Sequence, residues 1–169
     1  VFKTSTAVGV DITAIELKEQ FDAVCLATGA TAPRDLDLPG RKLNGVHFAL
    51  DYLSGRENIL ARDKSVVVIG GGDTGNDCVE TALAQGAKSV MQFEILPEDK
   101  VINDPTHDEQ TTARADRRWQ VKANEFRGND RLTELVATEV QWARGASGRN
   151  EPIAIPGADF TVPADIALL

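Results

Sequence analysis

The segment Val66-Val67-Val68-Ile69-Gly70-Gly71-Gly72-Asp73-Thr74-Gly75 constrains this chain more than any other. Four consecutive β-branched apolar residues suit a strand covered on both faces, as in a parallel sheet. Gly70, Gly72 and Gly75 follow in G-x-G-x-x-G spacing, the pattern of a dinucleotide-binding turn that opens a helix. The first glycine permits a tight turn. The second lets backbone approach a pyrophosphate, and the third lets the helix lie close on the strand. A helix begun there directs unpaired N–H groups and a partial positive charge at the pyrophosphate. The candidate cofactor-binding residues are Gly70, Gly71, Gly72, Asp73, Thr74 and Gly75. Asp73 and Thr74 lie in the turn, within reach of a cofactor, although Thr74 fits the role of a helix cap equally well.

The residues around the turn support it. Val79, Ala82 and Leu83 recur at helical spacing, Gly75 falls on the same stripe, and Gly86 is placed to stop the helix. A second apolar run, Ser89 to Leu96, predicts the next strand, closed by Pro97. Glu94 lies near its end, where an acid accepts hydrogen bonds from the ribose hydroxyl pair of a dinucleotide. The same order of elements also fits a βαβ unit with a tight turn and no ligand, and Glu94 an ordinary solvated residue. Between NAD(H) and NADP(H), an acid at this place favours NAD(H), because its charge repels a 2′-phosphate. Hydride transfer needs no acid–base side chain, so no catalytic residue is assigned.

The net charge of −8 and pI near 4.8 argue against a nucleic-acid or membrane-surface partner, both of which are themselves negative. Arg114, Arg117 and Arg118 cluster, but Asp116 dilutes them, and a solvated face is expected. Cys25 and Cys78 each sit inside an apolar run and read as small buried hydrophobes; C-x-x-C is absent. That cysteine usage fits a reducing, cytoplasmic compartment. His47 and His107 form no metal site with them, and no run approaches the ~20 apolar residues of a membrane span. No signal peptide is visible. A first residue that is not methionine, and a last apolar run with nothing after it, point to a piece of a longer protein.

Elsewhere, Thr13 and Glu16 predict a capping box for a helix Ala14 to Gln20, followed by a strand Phe21 to Ala27. Residues 31 to 45 read as a connecting loop, then Phe48, Leu50 and Leu53 as a short helix ended by Gly55. Residues 97 to 116 are polar, with one weak helix candidate from Glu109 to Arg118. From Trp119 the pattern alternates. Trp119, Val121 and Ala123 share a face ending near Phe126, and Val136, Val140 and Trp142 share another. Ile153 and Ile155 mark a third strand, stopped by Pro156-Gly157, and residues 165 to 169 rejoin the parallel sheet. The expected fold is α/β: a Rossmann-like parallel sheet with an antiparallel three-stranded meander over 119–156.

Several segments, taken in order, resemble a known family. Phe21 to Ala30 is similar to the segment leaving the FAD domain in flavoproteins with two dinucleotide-binding domains. Leu38-Pro39-Gly40 and Gly45 to Leu50 resemble the connector that follows. Val66 to Cys78 and Phe93-Glu94-Ile95-Leu96-Pro97 resemble the small subunit, or corresponding region, of glutamate synthase. Ala164 to Leu169 resembles the strand returning to the FAD domain. The resemblance implies a division into an FAD-domain edge (1–35), a connector (36–64) and an NAD(P)H-binding domain (65–169). It implies FAD in the full-length protein, with Ala27, Thr28 and Gly29 at the edge of the flavin site. It further implies an electron-input module. A hydride passes to FAD on the neighbouring domain of the same chain, then through iron–sulfur clusters to a large subunit or domain that makes glutamate from 2-oxoglutarate and glutamine. The family's proline- and tryptophan-containing stretch after the second strand is replaced by the shorter polar residues 98–116, and its cysteine-rich cluster region and FAD glycine motif are absent. The chain by itself is therefore expected to be inactive. The competing expectations are the NAD(P)H module of another flavin and iron–sulfur oxidoreductase, dihydropyrimidine dehydrogenase-like or transhydrogenase-like, and a non-catalytic nucleotide sensor.

Overall fold

The computed structural model describes residues 1–29, 32–100, 115–145 and 148–169. The chain divides into two compact units, Val1–Ala32 and Pro33–Leu169.

In the first unit, α1 (Ala14–Gln20) forms where the capping box predicts it. The Thr13 hydroxyl accepts the Glu16 N–H at 3.1 Å, and the Glu16 carboxylate accepts the Thr13 N–H at 2.8 Å. The strand expected over Phe21–Ala27 does not form; Phe21, Val24 and Leu26 are exposed, Leu26 to 81%. A strand is stable only with a ladder beside it, and the described residues of this unit hold no other strand. Cys25 lies on this segment and is exposed, contrary to the buried place its sequence predicts.

The second unit has a five-stranded parallel sheet in the order β1-β8-β2-β3-β4. Its strands are β1 (Val46–His47), β2 (Ser65–Ile69), β3 (Ser89–Glu94), β4 (Asp116–Trp119) and β8 (Ile166–Leu168). The final apolar run does rejoin this sheet, seated between β1 and β2. The short helix α2 (Ala49–Leu53) and the crossover helix α3 (Asp73–Ala84) cover one face. The α3 helix ends as Gly86 predicts. With Gly86 at φ +84°, its N–H donates to Leu83 and that of Ala87 to Ala82, the paired bonds of a Schellman stop.

The other face carries a three-stranded antiparallel sheet of β5 (Val121–Gly128), β6 (Leu132–Arg144) and β7 (Asn150–Pro163). Alternation along β2 sends Val66 and Val68 to the helices and Val67 to the meander, so the valine run is apolar throughout because both of its faces are covered. Phe93 of β3 meets Phe160 of β7 edge to face at 5.7 Å and joins the two sheets.

Several boundaries differ from expectation for physical reasons. The second strand stops at Glu94, because Glu94 turns back to accept the Leu96 N–H. Asp116–Trp119 is a strand of the parallel sheet, so the C-terminal part of the helix candidate is overturned; its residues 109–114 lie outside the described residues. Trp119 belongs to that strand, and the meander begins at Val121. A register shift between Ala123 and Glu125 returns Phe126 to the buried side with Val121 and Ala123. On β6 the buried positions are Leu132, Leu135, Ala137 and Thr138, then Val140 after a second shift, whereas Val136 is only partly covered. Pro156-Gly157 does not stop β7. The pair lies in the irregular stretch opposite that second shift, and the strand runs on to Pro163.

Truncating Phe93→Ala removes the ring that joins the two sheets and is expected to cost about 3–5 kcal/mol of stability, read from urea unfolding. Cys78 is fully buried, and burial, with a smaller contribution from the Asp77 carboxylate, pushes its thiol up to about 12. In the native chain at pH 8 a thiol reagent is expected to label Cys25 alone, and both cysteines in denaturant, as counted by mass spectrometry. Because folding raises this thiol above its ordinary value of 9.0, its stabilising contribution holds below that value and is lost as pH climbs toward about 12.

Candidate functional site

The site forms where β2 runs into α3. Gly70 sits at φ +122°, a conformation that side chains avoid, and its N–H still donates to Phe93 at 2.8 Å, so the chain leaves the sheet only after this residue. Gly72 is the N-cap of α3 and makes no side-chain capping bond. A Cβ at Gly72 would point into open space, which leaves the approach to the helix pole clear. Gly75 is one turn in. A Cβ there would overlap the Gly70 carbonyl oxygen, so α3 lies against the strand end only because Gly75 has no side chain. The tight turn expected of Gly70 and the close packing expected of Gly75 are visible in the backbone, and the space beyond Gly72 is open.

Asp73 is the first residue of α3 and is exposed, with its charge at the positive pole of the helix. Thr74 follows it inside the helix, and the cap position belongs to Gly72 instead. Glu94 is 8% exposed and lies directly beneath the turn. One carboxylate oxygen accepts the Gly71 N–H at 2.6 Å, and the other accepts the Leu96 N–H at 2.8 Å. Leu96 is held further by the N–H of Gln120, which donates to its carbonyl, and Trp142 donates its indole N–H to the Ile95 carbonyl at 2.8 Å. The exit of β3 is thereby tied to the meander.

Three polar residues at the site escape sequence reasoning. Gln92 is fully buried, and its amide nitrogen donates to the Gly70 carbonyl at 2.9 Å. Arg117, opposite Gln92 in the sheet register, donates from Nε to the Gln92 oxygen at 2.6 Å and from Nη2 to Asn76 Oδ1 at 2.7 Å. Its guanidinium lies over the Trp119 ring at 5.3 Å. Burial pulls Arg117 below its usual value, and the nearby Glu94 charge opposes that pull. Arg117 is therefore not part of a solvated face, as its charged neighbours had implied. The available signal was Gln92 itself, a polar residue two positions before the acid in an otherwise apolar strand, hence on the same face.

This arrangement fits a dinucleotide. An open glycine turn leads into an uncapped helix, and a carboxylate lies at the next strand end. Ala27, Thr28 and Gly29, the expected flavin edge, are exposed in the first unit. Among the described residues no group of His, Cys, Asp and Glu could hold a metal ion, and no helix is long and apolar enough to cross a membrane.

The profile of a family described as pyridine nucleotide-disulphide oxidoreductase matches residues 3–153. The chain belongs to this family of oxidoreductases. It is 38% identical, over 99% of its length, to the glutamate synthase [NADPH] small chain of Bacillus subtilis, and likewise to that of Mycobacterium tuberculosis. It is 35% identical, again over 99%, to glutamate synthase [NADH] of Saccharomyces cerevisiae. The chain spans 40% of the B. subtilis relative and 39% of the mycobacterial one. It spans 9% of the yeast protein. Among solved structures, M. tuberculosis FprA in complex with NADPH matches 96% of this chain and 52% of its own, with TM-score 0.61 and 18% identity. Thioredoxin reductase from Streptococcus pyogenes matches 81% of this chain and 40% of its own, with TM-score 0.52 and 17% identity. Both likenesses support the flavoprotein-type dinucleotide fold.

Replacing Gly75→Ala forces α3 off the strand end. The expected loss is about 1–3 kcal/mol of stability, measured by thermal unfolding, with a matching loss of nucleotide binding.

Proposed function

We propose that this chain is the NAD(P)H-binding, electron-input module of a glutamate synthase-type flavoprotein. The observation that carries the reading is the open, uncapped pole of α3 beyond Gly72, together with similarity over nearly the whole chain to glutamate synthase small chains. In this reading the amides of Gly72, Asp73 and Thr74 receive the coenzyme diphosphate, and Gly70, Gly71 and Gly75 shape the turn. The remaining lone pairs of Glu94 accept the adenosine ribose hydroxyls, and its charge favours NAD(H) over NADP(H). A bound nicotinamide supplies the hydride, and the protein's part is to place and orient it. The acceptor is FAD on a neighbouring domain of the parent chain, whose edge we assign to residues 1–35, with Ala27, Thr28 and Gly29 nearest the flavin. Residues 36–64 are the connector from that edge to the NAD(P)H domain, 65–169, and lend its sheet the strand β1 and its cover the helix α2. The electrons serve a glutamate synthase large subunit or domain in the cytoplasm, which makes glutamate from 2-oxoglutarate and glutamine.

Relatives named for NADPH favour a second reading, in which the coenzyme is NADP(H). Calorimetry with NADH and NADPH decides between the two. The expected result is tighter NADH binding, weakened by about 1–3 kcal/mol in Glu94→Ala. A clear preference for NADPH rejects the role given to the Glu94 charge. The parent protein is expected to oxidise NAD(P)H when given 2-oxoglutarate and glutamine. The chain alone is expected neither to turn over nor to copurify with stoichiometric FAD.

A further inference from the structure

We propose that Gln92 and Glu94 are positioning residues that together clamp the single peptide unit joining Gly70 to Gly71, and that Arg117 sets the polarity of the clamp. The proposal rests on the coenzyme site described above and gives that site its source of rigidity. The Gly70 carbonyl and the Gly71 N–H are the two ends of one peptide group. Gln92 donates to the carbonyl at 2.9 Å, and Glu94 accepts from the N–H at 2.6 Å. The two side chains are two residues apart on β3, so both rise from the same face of the strand toward the turn. They grip the peptide in a water-excluded place, with Gln92 fully buried and Glu94 nearly so.

The clamp has a direction. A flipped peptide would set its carbonyl against the Glu94 carboxylate and its N–H against the Gln92 amino group, two mismatched pairs in buried surroundings. A glutamine could relieve half of that mismatch by turning its amide over. Arg117 prevents this, because a guanidinium only donates. With Arg117 Nε on the Gln92 oxygen at 2.6 Å, the amino end must face Gly70. Asn76 closes the arrangement on α3, accepting from Arg117 at 2.7 Å and from Gln92 at 3.3 Å. Glu94 is kept from swinging away by the Leu96 N–H on its second oxygen.

The middle glycine of the motif follows from the same geometry. A Cβ on Gly71 would stand 2.8 Å from the Glu94 oxygen and 3.2 Å from its Cβ and Cγ, so any side chain there displaces the acid. With the Gly71 N–H turned inward, the amides offered to a diphosphate are those from Gly72 onward, already in place before the ligand arrives. Less ordering is then left to be done on binding.

The test uses the whole 15N-labelled chain and four variants, Glu94→Ala, Glu94→Gln, Gln92→Met and Gly71→Ala. In the wild type the Gly71 amide resonance is expected far downfield and slow to exchange with solvent. Glu94→Ala and Gly71→Ala should move it upfield and speed its exchange, while Glu94→Gln, which keeps an acceptor, should largely restore it. Gln92→Met carries no charge change and should weaken NADH and NADPH by the same factor, about tenfold, leaving their ratio as in the wild type. An unchanged Gly71 amide in Glu94→Ala overturns the clamp, as does a Gln92→Met variant that binds both coenzymes normally. If the wild type binds neither nucleotide, the coenzyme reading fails, and the Gly71 resonance still decides the clamp.

Discussion

The first turn of α3 rests against the carbonyl of Gly70, and nothing larger than hydrogen fits between them at Gly75. That one close approach brings the helix pole to the end of β2, and everything else at the site depends on it. A helix held a side chain's width further out would leave the turn wider and take Asn76 away from Gln92 and Arg117. The amides beyond Gly72 would then have no fixed place. The cost of such an approach is a backbone carbonyl crowded by a helix, and the structure meets it by giving that carbonyl a donor from Gln92.

The layers explain why the turn stays where it is. β2 is central, flanked by β8 and β3, and is buried on both faces, so its end cannot drift without disturbing helices on one side and meander on the other. The meander also reaches the site directly. Trp142, together with Gln120 just before the meander, fixes the chain beyond Glu94, and Phe160 packs on Phe93, the residue between Gln92 and Glu94. Neighbours along β3 thus divide the labour: the odd-facing ring anchors the strand to the second sheet, and the two polar side chains on the opposite face hold the turn.

Much of this was legible in the amino-acid order, and the exceptions share a cause. The valine run, the glycine spacing, the Gly86 stop and the capping box at Thr13 are local signals, each set by residues a turn or less apart. Tertiary contacts reinforce the first three, whereas the capping box stands on its own two hydrogen bonds, α1 burying no residue. What escaped depends on partners distant in sequence. Phe21–Ala27 has the composition of a strand but gains a ladder only from another strand, and its own unit has none among the described residues. Arg117 sits among charges that suggest solvent, yet its place is set by Gln92 and Asn76, 25 and 41 residues away in sequence. Pro156-Gly157 has the chemistry of a turn, and the sheet absorbs it as an irregularity because β6 offers pairing on both sides of it. Glu94 was legible as an acid at a strand end, but not as a ligand of the backbone beneath the glycines.

One electrostatic problem remains, and the site's construction answers it. A chain of net charge −8 must attract a coenzyme that is itself an anion. Long-range attraction is therefore unavailable, and the favourable field has to be local. In the proposed reading the helix pole supplies it at short range, through backbone amides that do not titrate. The one carboxylate beneath the turn would oppose that field if its charge were free. Glu94 instead accepts two backbone N–H bonds and lies near the Arg117 guanidinium, so its charge is partly compensated before any ligand arrives. Arg117 thus orients Gln92 and offsets Glu94 from one half-buried position, which is why a strand that carries it must lie beside β3 and not at a distance from it.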